Sequence, residues 1–322
     1  MPLLNINALI KKLRIAQGMT QEKLAEGICS RITISRIERG EHRPDWFILQ
    51  NVLQRLGVKP ENLNSDIIDL ISEEDAYVVK QRSKLQQYLV ALDMKNLKSL
   101  LDKLESDERF AKSAVENSGR GYQTYLRYKA ALHMYEPYLD ISASLKYITE
   151  CIKLNRPDFD IDKISQYFLS PEELQLINLM AVAYNASEET TKAIEILLKL
   201  KDSYEEQYMV NVFDNRQYRL LLLNIAGALN DAGRHEECLK ASEEGLECAL
   251  IHSEMISCLI YFRQKAISLM KLGREEEGRE EGQKFLMLAY VMGKHAAVSF
   301  EDAKKECEKI FGSKIELIPK WN

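Results

Sequence analysis

The 322-residue sequence is poor in the residues that metal sites, disulfides and covalent catalysis use. Its six cysteines (29, 151, 238, 248, 258 and 307) form no Cys-x-x-Cys pair and no Cys/His cluster at metal-ligand spacing. They read as small buried thiols in a reducing compartment. The five histidines (42, 133, 235, 252 and 295) are scattered, with no nucleophile–base pairing and no phosphate-cradling glycine loop, so neither an enzyme nor a cofactor is expected. No run approaches the roughly 18 apolar residues of a membrane span. The apolar residues of 3–15 are interrupted by Asn5, Asn7, Lys11, Lys12 and Arg14 in a helical period, unlike a signal peptide. A cytoplasmic chain without a membrane partner is expected. Strand signals are missing from Ala76 onward, where helical periods of 10–20 residues alternate with short polar punctuation. With 46% hydrophobic residues the chain can fill two or more cores, and the fold class expected is all-α.

Charge is unevenly placed. Residues 1–64 hold ten Lys/Arg against six Asp/Glu, whereas the remainder holds 34 against 43. A basic head suits nucleic-acid phosphates, and an acidic body would be repelled by them. Within the head, residues 20–40 organise the reading. Thr20 can cap a short helix whose Leu24 and Ala25 face inward, and Gly27 stops it because only glycine takes positive φ freely. Ser30 caps a second helix. There Ile34 and Ile37 point to a core, while Ile32, Arg36 and Arg39 fall on the other side at 100° per residue. An exposed isoleucine beside two arginines fits a major groove, with Ile32 on a thymine methyl and Arg36 forked onto guanine O6 and N7.

Two helices around a glycine turn form a helix-turn-helix. A first amphipathic helix over 5–17 and a later one over 46–56 flank it, followed by Gly57-Val58-Lys59-Pro60-Glu61-Asn62-Leu63. The order resembles the five-helix Cro/phage-repressor (XRE) type of DNA-binding domain, here residues 1–64. That resemblance implies a structural pair of Arg14 with Glu38 and a phosphate contact from Gln21. The DNA contacts expected are Gln21, Arg31, Ile32, Thr33, Ser35, Arg36, Arg39 and Arg43.

Residues 65–75 read as a linker carrying a short apolar helix. In the body, Gly233 and Gly273 each open a turn forty residues apart, each with a small residue seven before it (Ala226, Ala266) and a leucine four before it (Leu229, Leu269). This is the spacing of tetratricopeptide repeats, in degenerate form, and Ala181, Ala193 and Leu197 fit the same template. Residues 76–322 are thus expected to stack helix pairs into a right-handed superhelix serving peptide binding and dimerisation. Counting along the first helix of each pair places Tyr125, Tyr128, Asn178, Asn185, Asn224, Gly227, Asn230, Arg263 and Lys271 on the inner wall. Asparagine is a poor mid-helix residue, and its amide can bond both N–H and C=O of an extended peptide.

A helix-turn-helix head on a degenerate tetratricopeptide body resembles the peptide-pheromone regulators of Gram-positive bacteria, the RRNPP family. The segment from Leu24 to Glu38 has one residue fewer before its recognition helix than the usual repressor pattern, similar to the PlcR-like branch. The resemblance implies a homodimer on a palindromic operator in double-stranded DNA, switched by a short signalling peptide. It places peptide contacts on Asn178, Asn185, Asn224, Asn230 and Arg263, and the helix count adds Tyr128, Gly227 and Lys271 to the expected groove. The alternative is a regulator of the same type whose repeats hold a protein partner or serve only dimerisation.

Overall fold

The computed structural model describes residues 6–42, 44–58, 73–111, 120–207, 216–293 and 298–312. These contain fifteen α-helices, two 3-10 turns and no strand. The head comprises α1 (Ile6–Ala16), α2 (Gln21–Ala25), α3 (Arg31–Glu38) and α4 (Trp46–Arg55). The expected fifth head helix, most of the linker, Arg43 and the tail from 313 lie outside the described residues.

Helices α2, α3 and α4 each start where a side chain relieves the first free N–H groups. Thr20 accepts from the Lys23 N–H, Ser30 from Thr33 and Asp45 from Ile48. Gly27 has φ +68°, which turns the chain between α2 and α3. Ile10, Leu24, Ile34, Ile37 and Val52 are fully buried in one core, each from a position that faces inward at helical spacing.

The body continues with α5 (Glu73–Val90) packed on α6 (Met94–Glu105) and α7 (Arg120–Leu132) packed on α8 (Ile141–Lys153), followed by α9 (Pro171–Ala186) and α10 (Thr190–Gln207). Then come α11 (Arg216–Asp231) with α12 (His235–Ile251), α13 (Met255–Lys271) with α14 (Glu275–Met292), and α15 (Phe300–Phe311). The chain divides into two compact units, residues 1–187 with 202–210, and residues 188–201 with 211–322. The head therefore belongs to the same unit as the first repeat helices.

In the second unit, Ala226 and Ala266 are buried where neighbouring helices approach, and Gly233 and Gly273 turn the chain at φ +70° and +76°. A further close approach involves Gly245 on α12. A Cβ there would collide with the ring of Tyr261, itself 1% exposed on α13. Among the described residues no helix is long and apolar enough to cross a membrane, and no group of three His, Cys, Asp or Glu could hold a metal.

Candidate nucleic-acid interface

Helix α3 is held from behind by an ion pair. Arg14, at the end of α1, donates from Nε to Glu38 Oε1 at 2.5 Å and from Nη2 to Oε2 at 3.0 Å. Its Nη1 reaches the Met19 carbonyl at 2.7 Å. Glu38 closes α3 with 2% of its side chain exposed, so the forked pair fixes α3 against α1 and the entry to α2. Burial pushes the Glu38 carboxyl up, but hydrogen bonds from Arg14 and Gln21 and the guanidinium charge outweigh it, leaving the pKa below the ordinary glutamate value.

Gln21 is committed here as well, its Nε2 donating to Glu38 Oε2 at 2.8 Å. One of its two amide hydrogens is thereby used. Ile32 stands 62% exposed on α3, and Arg36 is exposed on the same short helix. Arg39 is forked onto Glu41 at 2.7 and 2.8 Å and donates to Ser35 Oγ at 3.1 Å. Arg31 pairs with Glu22 at 2.7 Å, and Thr33 Oγ1 shares a hydrogen bond with Ser30. Both arginine pairs are exposed, where such bonds contribute little and exchange readily for phosphate oxygens. Alanine at Arg36 is expected to lower affinity for the operator by about 1–3 kcal/mol while leaving binding to random DNA unchanged. Fluorescence anisotropy on both DNAs checks this, and equal losses would remove Arg36 from base reading.

Sequence reasoning passed over Arg55. It is 3% exposed at the end of α4, and its Nη1 donates to the carbonyls of Lys23, Leu24 and Glu26 at 3.2, 3.1 and 2.6 Å. These are the free C-terminal carbonyls of α2, so Arg55 caps that helix from a position about thirty residues away. No local signal marks it.

The repeat residues expected to face a peptide separate into three kinds. Tyr128 is a correction: it is 2% exposed in the core of the first unit, its hydroxyl donating to Gln86 at 2.9 Å, and it lines no open face. Tyr125 is buried likewise. Helix α7 is covered by α5, α6 and α8, so most of its circumference is core. Arg263 is tied across to α15, its Nε donating to Glu306 Oε1 at 2.6 Å, while Lys271 is exposed at the end of α13. Asn178 and Asn185 are half-buried on α9. On α11, Asn224 is half-buried, a Cβ on Gly227 would meet nothing within 4 Å, and the Asn230 amide oxygen is buried without a hydrogen-bond partner among the described residues.

A head of this geometry on tetratricopeptide-like helix pairs is the fold of helix-turn-helix DNA-binding regulators. Residues 10–63 match the helix-turn-helix family. Among solved structures, the chain is similar to Bacillus thuringiensis PlcR, seen in complex with the peptide PapR7 and DNA. The identity is 19%, the match covers 89% of this chain and 95% of that one, and the TM-score is 0.52. It also matches the SHP pheromone receptor Rgg2 of Streptococcus dysgalactiae at 15% identity, over 94% and 99% of the two chains, with TM-score 0.45. A Podosopora anserina protein of nearly identical TPR-like repeats matches at 15% identity over 69% of this chain and 98% or more of that one, with TM-score 0.48. No curated relative matches the sequence. The likeness to PlcR is one of fold.

Proposed function

We propose that the chain is a cytoplasmic quorum-sensing transcription regulator. As a homodimer it binds a palindromic operator through α3 and is switched by a short signalling peptide on the inner faces of its repeat helices. The observation that carries the peptide reading is on α11. The Asn230 amide oxygen is a buried acceptor with no donor among the described residues, one turn from the open space at Gly227. A buried acceptor left unmade costs about 1–3 kcal/mol, and a peptide N–H would relieve it. Asn224 adds a second amide on the same helix. Lys271 would attract a carboxylate, and Arg263 would join it only by leaving Glu306.

For a switch, the peptide has to bind one state of the repeats better than another. The reading is tested by binding the full chain to DNA from its own upstream region, across a salt series, with and without a small-peptide fraction of spent culture medium. Specific binding that the fraction alters, and that Asn230→Ala makes indifferent to it, supports the proposal. A second reading, repeats that serve dimerisation or a protein partner alone, draws on Ile251, Ile256, Tyr290 and Val291, which are 50–70% exposed at the ends of α12 and α14 and the start of α13. Specific DNA binding that no peptide fraction changes favours it.

A further inference from the structure

The helix-turn-helix head is fastened to the first repeat helices by a small polar contact. Its centre is Arg156, in the loop after α8. Its Nε and Nη2 donate to the two oxygens of Glu173 at 2.8 and 3.3 Å, and its Nη1 reaches Glu26 Oε1 at 3.4 Å. Glu26, the C-cap residue of α2, also accepts the Phe168 N–H at 3.0 Å. The Phe168 ring takes two head cations, Lys23 Nζ at 4.9 Å and the Arg55 guanidinium at 4.7 Å from its centroid. Gly27 completes the fit, because a Cβ there would collide with the Glu173 carboxylate.

Three features make this contact more than packing. Glu173 does two jobs: its Oε2 accepts the Ser170 N–H at 2.8 Å in the capping box that starts α9, and the same carboxylate orients Arg156. Gln207, in the last turn of α10, grips the other side of the loop, accepting from Leu169 N–H and donating to the Tyr167 carbonyl, both at 2.9 Å. Beside the contact an open cleft of about 720 Å³ separates Thr20, Lys23 and Arg31 of the head from Gln166 and Gln207. The head otherwise meets the repeats where α4 packs by α9 and the Arg82 guanidinium covers Phe47 at 5.6 Å.

We infer that Glu26, Arg156 and Phe168 form a latch through which the start of α9 and the end of α10 set the position of the helix-turn-helix, the contact at Phe47 serving as pivot. This rests on the regulator reading above and names the means of its regulation. Any change of α9 or α10 that moves Glu173 or Gln207 withdraws Arg156 and Phe168 from α2. The head then swings on its pivot, with α3 intact. Since two recognition helices must sit about 34 Å apart to meet successive half-sites, head position is what DNA senses.

The test uses the full chain and two variants. Glu26→Ala removes a part-exposed acceptor while Arg156 keeps Glu173, so the fold of each part survives. Gln207→Ala makes no change in the head. Hydrogen exchange is read at residues 22–28 and 166–169, with α3 and α13 as internal references. Both variants are expected to speed exchange at least threefold in both segments and to leave the references unchanged. Loosening of 166–169 by Gln207→Ala with 22–28 unaffected would overturn the coupling. On the upstream DNA fragment, Glu26→Ala is expected to change affinity at least fivefold. Faster exchange with unchanged affinity overturns the latch as a regulatory device. Wild-type protein that does not prefer this DNA over random sequence counts against the regulator reading instead, and the exchange result still decides the latch.

Discussion

Replacing Arg14 by methionine is expected to destabilise the head by about 3–5 kcal/mol, the usual cost of removing one partner from a buried ion pair. Methionine keeps much of the stem packing, so the loss reports the missing charge and its three hydrogen bonds. Glu38 is left nearly enclosed, with Gln21 alone donating to it among the described residues. Hydrogen exchange of α1 and α3 amides measures the opening free energy without involving the second unit. A fall below about 1 kcal/mol would show that water reaches Glu38 and that the pair is a surface one in energetic terms. The pH response follows from the same carboxyl. Because the folded pKa of Glu38 is lowered, its contribution is fully present above the unfolded value, about 4.3, and is lost as pH falls through the folded value. Opening free energy of the head is therefore expected to hold from neutrality to about pH 4.3 and to decline below it. Glu38→Gln should flatten that decline, and a wild-type profile equally flat would contradict the lowered pKa.

Gly245→Ala is expected to cost the second unit about 1–3 kcal/mol by overpacking. The added methyl meets the ring of Tyr261, which is itself 1% exposed. Exchange in α12 and α13 would rise together, with the head unaffected. Unchanged exchange would mean that Tyr261 has another rotamer available. Cys258 and Leu259, buried one turn earlier on α13, argue against it.

The local grammar of the chain was legible. Thr20 and Ser30 cap the helices they precede, Ala226 and Ala266 are buried, and Gly233 and Gly273 take the positive φ that their turns require. The all-helical class and the helix-turn-helix followed by repeat pairs come from signals within about ten residues of one another. What spacing alone could not separate was an inner wall from a core. Tyr128 lies on the first helix of a pair, as Asn224 does, yet α7 is enclosed by three neighbours and its tyrosine is packed. The opposite failure concerns Arg55, Arg156 and Phe168. Each looks like an ordinary loop or helix-end residue until residues 29 to 142 positions away are brought beside it. Long-range ion pairs have no period and leave no trace in sequence patterning.

The same distance orders events in time. Glu26 meets Arg156 and Phe168 across 130 and 142 residues of chain. Synthesis delivers the N-terminus first, and at about 5–20 residues per second the head's core can close many seconds before α9 exists. Each newly made molecule therefore passes through a period with a folded helix-turn-helix that nothing holds. A nascent head would be free of the latch until α9 and α10 have been made.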